Sequence, residues 1–187
     1  MVYRETSFGL LGVAQQIKRR LDDISPGAAP LLIVVENIEK PGNLGAVLRS
    51  ADGAGADGVI VCGRSTDLYN PNVVRASMGA LFTVPVVEAT AEDAVAWMKQ
   101  NRIAMVATTP HAEKMYYDAD LRGACAVLMG SEHEGLSGTL LQASYVKVRI
   151  PMEGRTDSLN LSAAAAVVLY EAVRQRNSEA GNRGGAA

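Results

Sequence analysis

Short aliphatic runs recur along the chain, and each is followed by a polar stretch. Leu31–Val35, Gly58–Cys62, Ile103–Ala107, Ala124–Met129 and Val146–Ile150 are the clearest. Most show no polar/apolar alternation, which is the pattern of parallel strands covered on both faces. Leu81–Val87 reads as a further strand. Between the runs lie segments with helical character: Leu44–Ala54, Pro71–Met78, Ala91–Gln100, a short one near Leu136–Ala143, and Asn160–Arg176. Strand and helix in alternation need crossover connections. The pattern therefore predicts an α/β fold: an open, mainly parallel sheet with helices on both faces.

The ends of the chain differ from this middle. Residues 1–30 read as a short N-terminal extension, with a helix over Ser7–Leu21 that closes on the basic run Lys18-Arg19-Arg20. Ser25-Pro26-Gly27 then breaks it. The main domain is expected over 31–176, and the Gly- and Ala-rich residues 177–187 as a flexible tail. With 187 residues, 48% of them hydrophobic, the chain can build one well-packed core.

Composition narrows the setting more than the activity. The longest apolar segments, such as Leu31–Val35 and Ala163–Leu169, are too short to cross a bilayer. Arg4, Glu5 and the Lys18–Arg20 run interrupt any signal peptide, so a cytoplasmic protein with no membrane partner is expected. Cys62 and Cys125 sit among apolar residues and read as buried, reduced thiols, not as metal ligands. Eighteen Lys and Arg against 20 Asp and Glu leave a net charge of −2. That balance does not advertise a nucleic-acid binder, although phosphate contacts depend on where charge is placed.

Open parallel sheets bind ligands beyond the carboxyl ends of their strands. Three loops there are dense in Gly, Pro, Asn, Ser and Glu: Glu36–Gly45, Gly130–Gly135 and Pro151–Asn160. In the first, Gly42 and Gly45 permit a tight turn, Asn43 is suited to cap the next helix, and Arg49 lies nearly two turns further on. Arg49 reads either as a surface arginine or one in a salt bridge to Asp52 or Asp57, or as a guanidinium that clamps a phosphate or polarises a reacting oxygen. No GxGxxG follows the first strand, so the loop is not a dinucleotide fingerprint. In the second loop, Glu132 is the expected functional carboxylate, while His133 has no visible partner and reads as a polar surface residue. In the third, Asn160 can cap the last helix and Ser158 can stabilise the turn. The run Ser162-Ala163-Ala164-Ala165-Ala166 permits close backbone approach.

Taken together and in this order, Pro41–Arg49, Met129–Ser137 and Ile150-Pro151-Met152 with Gly154 and Ser158–Ser162 resemble a known family. The similarity continues through Glu171 to Arg174-Gln175-Arg176 and covers about residues 31–176. The chain resembles the SpoU-type (TrmH-like) branch of the SPOUT methyltransferases, which transfer a methyl group to RNA ribose 2′-hydroxyls. The resemblance implies a C-terminal trefoil knot, S-adenosylmethionine as cofactor, and a homodimer in which the arginine of one subunit serves the cofactor held by the other. It implies cofactor contacts at Gly130, Ile150 and Leu159, flanked by Met152 and, in the Ala107–His111 loop, Thr108. Asn43, Arg49, Glu132, Ser158 and Asn160 stand at the family's recurring polar positions. Two departures stand out: only about 30 residues precede the motifs where many relatives carry an RNA-binding domain, and Leu161 replaces a common valine.

A ribose hydroxyl attacks poorly until its proton leaves, so catalysis needs alignment and help with charge. Arg49 is the expected group at the 2′-oxygen, stabilising the developing alkoxide, since arginine stays protonated near neutral pH. The resemblance makes structured RNA, a tRNA or an rRNA, the expected partner, and no metal is needed. The alternatives are a noncatalytic RNA-binding or ribosome-assembly module and an RNA base methyltransferase.

Overall fold

The computed structural model describes residues 13–183. Its strands are β1 (Leu31–Glu36), β2 (Gly58–Cys62), β3 (Val86–Ala89), β4 (Ala104–Thr108), β5 (Lys114–Met115), β6 (Cys125–Met129) and β7 (Val146–Arg149). The helices are α1 (Pro41–Gly53), α2 (Pro71–Ser77), α3 (Ala80–Thr83), α4 (Ala91–Gln100), α5 (Gly138–Ala143) and α6 (Leu161–Arg183). All strand pairs are parallel, in the order β3-β2-β1-β6-β4-β7-β5.

Side-chain alternation splits the interior into two cores. Leu31, Ile33 and Val35 of β1 pack with α1, α2, α3 and α6, through residues such as Leu44, Val47, Val73, Leu81, Val168 and Leu169. Leu32 and Val34 face the other way, against Ala94, Trp97 and Met98 of α4 and Leu140 of α5. All six residues of β1 are buried, as are all five of β2 and of β6. This explains why the central runs carry no polar alternation: water reaches neither face.

The strand order sets where ligands can sit. β1, β2 and β3 run outward to one edge, while β6, β4, β7 and β5 fill the other side. The turning point lies between β1 and β6, where neighbouring loops leave the sheet in opposite directions and open a crevice. β6 enters between β1 and β4, and β7 between β4 and β5. Both late strands therefore take interior slots, the placement that the expected knot requires.

Two glycines make this packing possible. A Cβ at Gly45 would collide with Ala76, so the α1–α2 contact depends on bare backbone there. A Cβ at Gly130 would lie inside the backbone of Gly135 and Leu136, where Ser131 and Gly135 form an isolated antiparallel bridge. The second half of α6 is fastened by Arg176, whose guanidinium donates to the carbonyls of Ala29 (2.8 Å), Leu121 (3.0 Å) and Gly123 (2.7 Å). Beside it Gln175 donates to Ala119 O and accepts from Leu121 N–H, both at 2.9 Å.

Several expectations need correction. Residues 7–12 of the expected N-terminal helix lie outside the described residues; 13–20 carry no regular structure, and Leu21–Asp23 form one 3-10 turn. Val13 is 94% exposed, so no buried face repays the cost of helix nucleation. Leu81–Val87 is not one strand: Ala80–Thr83 is helical and β3 begins at Val86. Met78 and Gly79, with φ of 52° and 100°, turn the chain, and the Pro85 carbonyl accepts from Val59 N–H at the ladder's start. Asn43 does not cap α1, which starts at Pro41 with Lys40 before it. α6 continues past Arg176 to Arg183, through residues expected as tail. The two-residue β5 was too short to leave a pattern. Among the described residues no helix is long and apolar enough to cross a membrane.

Gly45→Ala should destabilise the fold by roughly 1–3 kcal/mol, the usual cost of forcing volume into a packed contact. Gly42→Ala, where a Cβ meets nothing within 4 Å, should be neutral or stabilise by up to about 1 kcal/mol. Urea midpoints of the two variants provide the comparison, and equal midpoints would contradict the packing argument.

Candidate active site

Loops from four adjacent strands meet above the carboxyl edge, and a carboxylate ties three of them together. Glu132, just after β6, accepts from Asn160 Nδ2 at 2.7 Å and from Asn43 Nδ2 at 3.2 Å, both on Oε1. Its Oε2 pairs with Lys40 Nζ. Asn160 Nδ2 also reaches Asn43 Oδ1 at 3.1 Å. The first turn of α1, the β6 loop and the start of α6 are thereby locked to one another. The hydrogen bond and charge of Lys40, the Asn43 amide and the Leu161 N–H hold the Glu132 carboxyl below its ordinary range. Glu132 is therefore a fixed anion at neutral pH. Among the described residues it accepts from Lys40, two side-chain amides and the Leu161 N–H, and from no arginine.

Each asparagine reaches Glu132 for a local reason. Because Pro41 opens α1, Asn43 lies within the first turn and its side chain is free of capping duty. Asn160 divides its amide: Oδ1 accepts from Ser162 N–H (3.1 Å) and Oγ (2.7 Å) as a cap of α6, and Nδ2 serves the junction. Its expected capping role and its place in the site are thus both present.

Beside the junction lies a cavity of about 370 Å³. Gly130, Ile150, Leu159, Met152 and Thr108 all line it, as do Ser158 and Glu132. Leu136, Leu141 and Leu161 add apolar wall, and Ala164 of the small-residue run lets α6 approach. Thr108 Oγ1 is buried there without a hydrogen-bond partner. A buried unpaired hydroxyl is costly, so it marks a place where a ligand group would be accepted. His111 and His133 also reach the lining, exposed.

Arg49 stands apart. It is exposed on α1 and lines neither this cavity nor its neighbour. Neither proposed ion pair forms: Asp52 accepts from Thr83 Oγ1 and Asp57 from Leu31 N–H. Among the described residues the Arg49 side chain makes no hydrogen bond or ion pair, so none of them commits its charge.

A second hollow of about 290 Å³ lies across the Ser131–Glu134 loop, with Lys40, Asn43, Asn37 and Arg64 on its walls. Asn37 adopts a left-handed φ of 56°, and its Oδ1 accepts from Arg64 N–H at 2.8 Å. Sequence reasoning missed Lys40, Asn37 and Arg64, since none stands in a periodic or spaced pattern. It also missed Glu36, a 4% exposed carboxylate that accepts from Ser137 N–H at 2.6 Å and anchors the start of α5. A charged residue closing an otherwise apolar strand was the available signal. Burial pushes the Cys62 thiol up to about 12 and also raises that of Cys125, so neither is a nucleophile.

Residues 30–170 match the SpoU rRNA Methylase family. The chain is 39% identical over 150 residues to the 23S rRNA (uridine(2479)-2′-O)-methyltransferase of Streptomyces viridochromogenes, covering 77% of this chain and 52% of that protein. It is 38% identical to the 23S rRNA (guanosine-2′-O-)-methyltransferase RlmB of Ralstonia nicotianae, covering 89% and 67%. Among solved structures, an RNA 2′-O ribose methyltransferase is 49% identical with a TM-score of 0.80, over 86% of this chain and 62% of that one. The SpoU methyltransferase AviRb from Streptomyces viridochromogenes, in complex with the cofactor AdoMet, is 36% identical with a TM-score of 0.83, over 88% and 67%. This chain spans between half and two thirds of the length of the curated relatives it matches. With its parallel sheet, its three loop motifs and this match, the chain belongs to the SpoU rRNA methylase family.

Proposed function

We propose that this protein transfers a methyl group from S-adenosylmethionine to a ribose 2′-hydroxyl of structured RNA, a tRNA or an rRNA. It acts as a cytoplasmic homodimer, and residues 31–176 are its catalytic unit, knotted through the loops after β6 and β7. The observation that carries this reading is the cavity at the carboxyl edge, because the second and third motif loops and the loop after β4 build it together, and Glu132 ties its rim to Asn43 of the first motif. Relatives named for 2′-O-methylation of 23S rRNA, one of them solved with AdoMet, support it.

The lining fits the cofactor. Ile150, Leu136 and Leu141 offer an apolar slot for a flat base, Gly130 lets the two arms of the β6 loop close against each other to form one wall, and Thr108 Oγ1 is free for a polar group. When bound, S-adenosylmethionine supplies an activated methyl group on sulfonium. Gly130, Ile150 and Leu159 hold the cofactor through backbone, with Met152 and Thr108 beside them. Glu132 keeps Asn43 and Asn160 in place at the rim, and Ser158 presents its hydroxyl to the same space.

Arg49 is assigned to the reacting oxygen of the neighbouring subunit's site. Its exposure and its absence from the lining of either hollow support a role beyond its own chain. Brought across a two-fold axis, its planar donors would stabilise the developing alkoxide. The intact Glu132–Asn43–Asn160 junction speaks against a noncatalytic module.

Calorimetry should detect binding of S-adenosylmethionine and of its demethylated product, and the product should raise thermal stability. Saturable NAD binding with neither of these would overturn the assignment. Arg49→Ala should lower single-turnover methyl transfer by roughly 10² or more at saturating RNA and cofactor, with cofactor affinity unchanged. Mixing Arg49→Ala with Leu159→Trp, which fills the cavity, should restore about a quarter of the wild-type rate if sites are shared across a two-fold. An inactive mixture would place Arg49 in its own chain's site.

Glu132→Gln removes the anion. Because the folded carboxyl is held low, the stability it contributes is present above the ordinary carboxylate range and is lost as pH falls through the lowered value. The melting-temperature gap between wild type and Glu132→Gln should accordingly be widest near neutrality and close on acidification. A gap that does not change with pH would rule out the charge as its source.

A further inference from the structure

Among the described residues, one face of β7 is left open. Val146 and Val148 turn into the core that α1 and α6 cover. Alternation therefore sends Tyr145, Lys147 and Arg149 to the opposite face. The ladder already includes Tyr145, whose N–H donates to Met105 O at 2.8 Å. On that side α4 and α5 pack over β1, β2, β4 and β6, while β7 has β4 and β5 as its main neighbours.

The three side chains are not spent on the fold. Tyr145 is 84% exposed, Lys147 is exposed and Arg149 is half-buried. Neither cation forms an ion pair or a hydrogen bond among the described residues, and Arg149 Nε is buried with no partner. A large aromatic in water thus stands on the same strand face as two cations that no group among the described residues neutralises. It is the combination that binds single-stranded nucleic acid: a ring on which a base stacks, and charges for the backbone. The spacing suits this, because Tyr145 to Arg149 spans about 13 Å at strand rise. Arg149 passes directly into Ile150 on the cavity wall, so a strand lying along β7 would lead to the reaction site.

We propose that this face of β7 binds single-stranded RNA flanking the methylated nucleotide, Tyr145 stacking on a base while Lys147 and Arg149 hold phosphates. The proposal rests on the RNA-methylation reading above. It gives an acidic chain of net charge −2 a local surface for its polyanionic substrate.

The test is fluorescence anisotropy of the full chain with a labelled oligouridylate of about twelve nucleotides. Tyr145→Ala should weaken binding roughly tenfold, and Tyr145→Phe should retain it, because stacking needs the ring and not the hydroxyl. Lys147→Gln with Arg149→Gln should reduce the slope of log affinity against log salt by about 1.4, two phosphates' worth for a single strand. Cofactor calorimetry and particle mass should stay at wild-type values. Wild-type chain that ignores the oligonucleotide, or a Tyr145→Ala chain that binds it undiminished, overturns the proposal. A fall in particle mass in Tyr145→Ala also overturns it and makes this face a contact between copies of the chain. Methyl transfer by wild type with undiminished binding in Tyr145→Ala strikes this inference alone. Binding without any methyl transfer strikes the catalytic reading.

Discussion

The site is held in shape by a carboxylate that three distant stretches of chain share. Glu132 receives Asn43 from α1 and Asn160 from the start of α6, while Lys40 neutralises it from outside. The ion pair is the smaller part of this arrangement. The Lys40 side chain is 64% exposed, and a pair so wet contributes on the order of 0–1 kcal/mol. The two amides matter more, because each is directional and each sets the end of a core-packed helix against the β6 loop. Hydrogen bonds to a charged acceptor are also worth more than those between neutral groups.

That junction works only because the backbone beneath it is unusually close. Gly130 and Gly135 bring the two arms of the β6 loop together without side chains between them, and the Ser131–Gly135 bridge closes the turn. Glu36 then fixes where the loop ends, by accepting from Ser137 N–H at the start of α5. The cavity wall is thus defined at both ends by groups on neighbouring strands, β1 and β6. Sheet register is transmitted directly into pocket geometry.

Much of this was legible in the residues. The buried strands announced themselves because both faces are covered, so an aliphatic run needed no interpretation of phase. The motif loops were legible as dense polar and glycine segments at strand ends, and the cavity gathers Gly130, Ile150, Leu159, Met152 and Thr108 from loops far apart in sequence. Leu81–Val87 failed because a short apolar run fits helix and strand alike until Met78, Gly79 and Pro85 decide it. Lys40 and Asn37 were illegible for a different reason. Their roles arise only when the loop after β1 is set against the loop after β6, and no local pattern encodes that meeting.

The Arg176 clasp bears on where the folding unit stops. The family match ends at residue 170, yet the guanidinium that satisfies the Leu121 and Gly123 carbonyls lies six residues beyond it, and it also grips Ala29, just before the match begins. A segment excised for grafting at 30 and 170 would leave those acceptors bare and release Leu121 N–H from Gln175 as well. Modular borders drawn by sequence similarity and by hydrogen-bond closure therefore differ here. A chimera that respects the second border must carry the chain from Ala29 through Arg176.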